Sequence, residues 1–324
     1  MTYPSPSDTM CVMRCPPDKR REALLQLDAA HNPELQVTLS GAVKAMYNQP
    51  EARWEGLWVS VEAGRLIGAI WVQPLASGMA QLWLPRTRVQ ATTQESLHGA
   101  DARTDALLSA AYQWVERNAI RLCHVALSAH ETVLEALLLK HGMQRLVCLE
   151  HLTGSTHRRL AMNKEKPLDL QSFSELSQAH QRDLLAAVGE KALDSVRLRE
   201  MLTVDELLDG FYQQDPQAPK HWYVVHYYGQ VIGVLLLADR PALGGWELML
   251  MGLTPAWRGK GLGRSLLNKA LALAQQAGAQ EMMLSVDDVN TPAKRLYQQA
   301  GLVCYAQQHL LAWKENDKRH TLPT

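Results

Sequence analysis

The chain has 324 residues, of which 47% are apolar and 20% charged, the composition of a soluble globular protein long enough to bury two cores. Lysine plus arginine balance aspartate plus glutamate at 33 each, so the bulk charge recruits neither nucleic acid nor an anionic membrane surface. Cys11, Cys15, Cys123, Cys148 and Cys304 form no Cys-x-x-Cys pair and are odd in number, and the twelve histidines show no metal-ligand spacing, so neither a metal nor a disulfide framework is expected.

The opening MTYPSPSDTM lacks the basic-then-apolar order of a signal peptide, and no apolar run approaches a membrane span; a cytoplasmic protein is expected. A short strand follows at Cys11 to Cys15, then helices within Asp18 to Asp28 and Leu39 to Tyr47. Residues 57 to 74, LWVSVEAGRLIGAIWVQP, read as a hairpin, and Met79 to Pro85 as a further strand. Two helix-strand units come next, YQWVERNAIRLCHVALS from Tyr112 and VLEALLLKHGM from Val133. The polar, basic stretch Gly154 to Asp169 reads as a boundary between domains at 1–155 and 156–324, with a possible strand near Leu160.

Beyond it, Ser172 with Glu175 and Thr203 with Glu206 have capping-box spacing and start helices. The hairpin motif then returns as WYVVHYYGQVIGVLLLADRP, residues 222 to 241, with Gly229 and Gly233 repeating Gly64 and Gly68 at one constant offset. The later units repeat as well: LALAQQAGAQEMMLSVD from Leu271 matches the segment from Tyr112, and PAKRLYQQAGL from Pro292 the segment from Val133. The chain is therefore two copies of one α/β unit.

Between hairpin and helix the second copy carries WELMLMGLTPAWRGKGLG, from Trp246 to Gly263: an apolar strand, then an Arg-x-x-Gly-x-Gly loop opening a helix. The first N–H groups of a helix have no internal partner and carry partial positive charge, so this is a place for a phosphate. Arg258, Lys260 and Arg264 add cations. The loop is neither a Gly-Lys-Ser/Thr triphosphate loop nor a Gly-x-Gly-x-x-Gly dinucleotide turn. Met282 to Val286 then reads as a buried strand, followed by a polar turn ending at Asn290, a helix capped at Thr291 with Pro292 at its first position, and Tyr297 on that helix.

Strand, Arg-x-x-Gly-x-Gly, helix, strand, Asn, helix with Tyr: over about residues 221 to 313 this order resembles the GNAT superfamily of acyl-CoA-dependent N-acyltransferases. The resemblance implies an α/β fold with a mixed sheet, two tandem GNAT-like domains, and acetyl-CoA as co-substrate. It implies that main-chain groups of Met251, Gly252 and Leu253 pair with the pantetheine arm. Arg258, Gly259, Lys260, Gly261, Leu262, Gly263 and Arg264 would hold the pyrophosphate, and Asn290 would lie near the pantetheine. Tyr297 would protonate the leaving thiolate, with Glu247 as the base that takes a proton from the amine, and Asp287 its competitor. The segment Ala192 to Tyr212 would wall the acceptor site, with Asp194, Arg197, Arg199 and Glu200 as polar candidates.

The first copy departs at each of these points. RTRVQATTQESLHGADART stands where the loop should be, Gly99 to Thr104 replaces Arg258 to Gly263, Leu138 replaces Tyr297, and Glu131 replaces Asn290. It reads as a degenerate partner that packs on the second. The expected activity is direct transfer of acetyl to an amine in a ternary complex, the acceptor being a small molecule or a peptide. A non-catalytic acyl-CoA sensor is the alternative, and no nucleic-acid or membrane partner is expected.

Overall fold

The computed structural model describes residues 10–29, 36, 39–44, 51–85, 94–161, 166–214 and 218–314. Parts of the expected segments Leu39 to Tyr47, Arg86 to Thr104 and Gly154 to Asp169 lie outside them. The chain divides into two compact units, Met1–Arg145 with Leu310–Thr324, and Leu146–His309.

In the first unit the strands are β1 (Cys11–Arg14), β2 (Leu57–Glu62), β3 (Arg65–Pro74), β4 (Met79–Trp83) and β5 (Leu122–Ser128), in that spatial order. Neighbours from β1 to β4 are antiparallel, and β4 and β5 are parallel. A parallel pair needs a crossover, supplied by α2 (Gln94–Arg117); α1 (Arg20–Asp28) precedes it in the chain. Leu107, Leu108, Ala111 and Trp114 of α2 pack on Ile70, Val72 and Leu82, with Leu311 and Trp313 of β12 (Val303–Lys314) in the same core. The α1 side is filled by Ala23, Leu24 and Leu27 over Trp54, Trp71 and Trp83, whose rings stack in series at 5.5 and 6.5 Å between centroids. Tryptophan does here what two phenylalanines in the whole chain cannot: Trp71, Trp83, Trp222 and Trp313 are the largest fully buried side chains.

The second unit repeats the plan. Its hairpin is β8 (Trp222–Tyr227) and β9 (Gln230–Arg240), flanked by β7 (Asp169–Ser172) and β10 (Gly245–Leu253), all antiparallel. β11 (Glu281–Asp287) runs parallel to β10 and antiparallel to β6 (Gln144–Ser155). The two hairpins are alike in detail. Each turns through a pair with positive φ, Ala63-Gly64 and Tyr228-Gly229, the geometry a two-residue hairpin requires. Each carries a bulge at the same repeat position, between Ser60 and Val61 and between Val225 and His226.

Helices α7 (Leu262–Gln276) and α8 (Thr291–Gln299) bury Leu266, Leu267, Leu271 and Tyr297 on one face of this sheet. On the other face α4 (Gln178–Gly189) and α6 (Val204–Gln214) cover Trp222, Val224, Val234 and Leu236, with the single turn α5 (Val196–Arg199) between them; α3 (Thr132–Lys140) is the first unit's counterpart of α8. The Thr203/Glu206 capping box forms, each backbone N–H donating to the other residue's side chain at 2.8 and 3.2 Å. The Ser172/Glu175 box does not. Ser172 ends β7, a single 3-10 turn follows, and α4 starts after Ser177, whose hydroxyl accepts from the His180 N–H. No strand forms at Leu160 either: it is a buried anchor whose N–H and C=O are both taken by the side-chain amide of Asn268 on α7.

Candidate active site

The second unit's site begins where two parallel strands part. β10 and β11 pair from Gly245/Glu281 to Leu248/Leu284, and a bulge between Leu248 and Leu250 then turns β10 away. β10 stays paired with β9 as far as Leu253 opposite Gly233. Thr254 N–H donates to Ile232 O, and the Gly252 carbonyl lies against Gly233, where an added Cβ would sit 2.1 Å from it. By strand alternation the main-chain groups of Met251 and Leu253 face away from β9, into the split. Gly252 has no room for a side chain, since a Cβ there would meet Val188 Cγ1 of α4 at 2.1 Å.

The loop leaving β10 is shaped by Gly259 and Gly261, at φ +72° and +76°, and Gly261 is the N-cap of α7, with no side-chain capping hydrogen bond. The first-turn N–H groups of α7 are thus open to an anion. Leu262 is buried in the core, and Gly263 lies close to Leu296 of α8. Lys260 stacks its ammonium on Trp257, 4.7 Å from the ring centroid. Arg264 reaches Gln299. Arg258 turns inward: its Nε donates to Leu253 O at 2.9 Å and one terminal nitrogen to Val188 O at 2.8 Å. Burial, and then the neighbouring Arg199, press its guanidinium below the ordinary arginine range. Arg258 therefore braces the strand end against α4.

One cation at this loop was not singled out in the sequence. Lys166 donates through Nζ to Lys260 O, and its N–H to Ser265 Oγ of α7 at 3.2 Å. The composition of its segment signalled a boundary, and nothing local says that the chain folds back onto a helix start.

Tyr297 is buried on α8, and burial followed by the nearby Asp194 carboxylate pushes its phenol far above the usual tyrosine value. Asn290 caps α8 by accepting from Ala293 N–H at 3.3 Å, so the cap falls one residue before the expected Thr291. Across the split, Asp194 Oδ1 accepts from Asp287 N–H and Asp287 Oδ2 from Ser195 N–H, both at 2.9 Å, which pins the loop after α4 to the end of β11. Burial raises the Asp287 carboxyl, with contributions from Asp288 and Asp194, against the lowering donors Val289 and Ser195. Arg199 bonds the carbonyls of Gly189, Ala192 and Asp194, closing the C-terminus of α4; Arg197 and Glu200 are exposed. Glu247 lies beside Met283 in register, on the sheet face away from α7 and α8. Its Oε2 accepts from Arg240 Nε and a terminal nitrogen, both at 2.7 Å.

In the first unit the stretch Gly99 to Thr104 is interior to α2, so no loop precedes a helix start there.

The second unit thus combines a parallel strand pair that parts after Leu248/Leu284 with a glycine-shaped helix start beside it. Residues 190–302, which hold the split, the loop and Tyr297, match the model of the acetyltransferase (GNAT) family. A GCN5-related N-acetyltransferase from Sphaerobacter thermophilus superposes with a TM-score of 0.62 at 14% identity, covering 94% of this chain and 95% of that one. A tandem GNAT protein from the clavulanic acid biosynthesis pathway does so with a TM-score of 0.53 at 12% identity, covering 95% and 100%. The fold is accordingly two tandem GNAT-like domains. Among curated proteins, the mycothiol acetyltransferase of Thermobispora bispora is 42% identical over 81 residues, 25% of this chain and 24% of that one. That of Nocardiopsis dassonvillei is 31% identical over 130 residues, 36% and 37%. The chain thus spans about a quarter to a third of the length of these relatives. Among the described residues, no helix is long and apolar enough to cross a membrane.

Proposed function

We propose that this protein is an N-acetyltransferase that moves acetyl from acetyl-CoA to an amine, with residues 156–324 as the working copy and 1–155 as a degenerate one. The observation that carries the reading is the open split. Met251 turns its main-chain groups and Leu253 its N–H away from β9 into it, the Leu253 carbonyl being held by Arg258, Gly261 opens a helix end at its mouth, and Tyr297 lies beside it.

Met251 and the Leu253 N–H, on either side of Gly252, take the pantetheine as an added strand would be taken. Gly259 to Arg264, with Lys166, receive the pyrophosphate. A backbone N–H near Leu253 faces the carbonyl oxygen as it gains charge. Tyr297, kept protonated by its burial, gives its proton to the departing thiolate. Glu247, fixed by Arg240, presents a carboxylate on the acceptor side to orient an ammonium group. Asp194 and Arg199 shape the wall of the acceptor site. Arg258 acts by holding the loop, and Asn290 by holding the start of α8. For the acceptor we take the class that the curated relatives' name supplies, a mycothiol-related small molecule, with a peptide amine as the competitor. The five free thiols suit the reducing cytoplasm.

Calorimetric titration of acetyl-CoA tests this. One site per chain is expected, weakened at least tenfold in Lys260→Glu. Two sites would restore function to the first copy, and no binding would end the acetyltransferase reading.

A further inference from the structure

One polar cluster of the second unit takes no part in the chemistry so far. Ser285 is the first residue of β11 beyond its last pairing with β10, so it stands at the opening of the split. It alternates with the core residues Leu284 and Val286, and its side chain lies on the face that carries Glu247. His151 of β6 is its direct cross-strand partner. Ser285 Oγ and His151 Nδ1 are 2.8 Å apart, and His151 Nε2 lies 3.3 Å from Gln308 Oε1 on β12.

In the neutral ring these contacts select one tautomer: with the Gln308 oxygen accepting, Nε2 carries the hydrogen and Nδ1 the lone pair, and the Ser285 hydroxyl donates to Nδ1. That leaves the Ser285 oxygen able to accept from a donor entering the split. A hydroxyl backed by an imidazole, itself oriented by a third group, is an arrangement that can take up a proton. Other ionisable groups on this face include Glu247 with Arg240, Glu281 (3.3 Å from Thr153 Oγ1), Asp287 and, farther off on β8, His226 beside Gln171. The Tyr305 ring lies 6.2 Å from that of His151. Glu247 shares its charge with Arg240 and Asp287 is engaged by two backbone N–H groups, whereas the His151 lone pair has only a hydroxyl on it. In the first unit the positions at the repeat offset are Ala126 and Leu310, so the pair is absent where the loop and tyrosine are also absent.

We propose that Ser285 and His151, oriented by Gln308, form the proton acceptor on the acceptor side of the split. This rests on the acetyltransferase reading. As the nucleophile's nitrogen or oxygen bonds to the acetyl carbonyl carbon, its proton passes to Ser285 Oγ while the Ser285 proton passes to His151 Nδ1. The carbon–sulfur bond then breaks, Tyr297 protonates the thiolate, and His151 returns its proton to solvent as Tyr297 is reprotonated. The residue comes from β6, the strand that closes the first sequence repeat.

The full chain is first titrated with acetyl-CoA; absence of binding defeats the acetyltransferase reading itself. With binding established, the rate at which diethyl pyrocarbonate modifies His151 is followed by mass spectrometry, with and without saturating acetyl-CoA. Protection of at least fivefold is expected, and an unchanged rate overturns the proposal. Acceptor-free hydrolysis of acetyl-CoA, in which water is the nucleophile, is then compared between wild type and variants. His151→Ala and the more conservative Ser285→Ala should bind acetyl-CoA as the wild type does and lose about 10² and at least tenfold of the rate, respectively. Hydroxylamine, a nucleophile already unprotonated at neutral pH, should restore thiol release in both. A wild-type hydrolysis rate in either variant, or no difference between water and hydroxylamine, overturns it.

Discussion

Tyr297 shows how one side chain is tuned by where the chain puts it. Its ring completes the core between α7 and α8 while Asp194 lies near the hydroxyl, and both disfavour the phenolate. The raised value means that the protonated form is favoured in the folded state. Its contribution to stability is full below the ordinary tyrosine value of about 10 and is lost as pH rises through the higher folded value. Tyr297→Phe should therefore remove one phenol that ionises last in an alkaline absorbance titration. It should also lower acetyl transfer by about 10²-fold or more while leaving acetyl-CoA affinity unchanged. Asp287 has the same sign with a lower starting point. Its folded-state value lies above the unfolded one, so its favourable contribution is complete below about pH 4 and disappears as pH rises through the raised value. Asp287→Asn retains one acceptor oxygen and loses the buried charge, so its melting temperature should gain on the wild type between pH 4 and 7. A constant difference across that range would mean that the clamp is not charge-sensitive.

At the scale of elements, the hairpin repeat and the glycine-shaped loop were legible because each is local, a period, a turn residue, a change of pattern, whereas the mixed sheet came only with the family resemblance that the motif order carries. Orientation was not. Arginine at the start of Arg-x-x-Gly-x-Gly suggests a phosphate ligand, yet the Arg258 guanidinium lies against two carbonyls, because the C-terminus of α4 and the end of β10 both expose acceptors there. That meeting of elements far apart in sequence has no local trace. The same holds for Lys166 and for His151, each brought to the site by a strand or linker that the sequence assigns to no function. Gly233 is the test of how closely these elements approach. Gly233→Ala would drive a methyl to 2.1 Å from the Gly252 carbonyl, costing about 1–3 kcal/mol and pushing β10 at the residues proposed for pantetheine. Thermal unfolding and acetyl-CoA calorimetry should report both effects together, whereas Gly229→Ala, in open space at φ +74°, should cost stability alone.

For the molecule as a whole, the sequence repeat and the compact units divide the chain at different places. The repeat puts β6 with the first copy and β12 with the second. Yet Leu152 of β6 lies in the core of the second unit, where β6 pairs with β11 over seven residues from Glu281 to Asp287. Leu311 and Trp313 of β12 lie in the core of the first, under Leu108 and Ala111. Each unit is completed by a strand from the other repeat. A chain cut between residues 155 and 156 should therefore give two fragments that are each deficient. The 156–324 fragment would lack Leu152 and expose the edge of β11, and 1–155 would lack two large core side chains. Size-exclusion chromatography should find each fragment aggregated or unfolded alone. Refolded together they should elute as one species and regain the single acetyl-CoA site. A 156–324 fragment that is monomeric and binds acetyl-CoA with the affinity of the full chain would show that the exchanged strands are dispensable, and that the second copy needs nothing from the first.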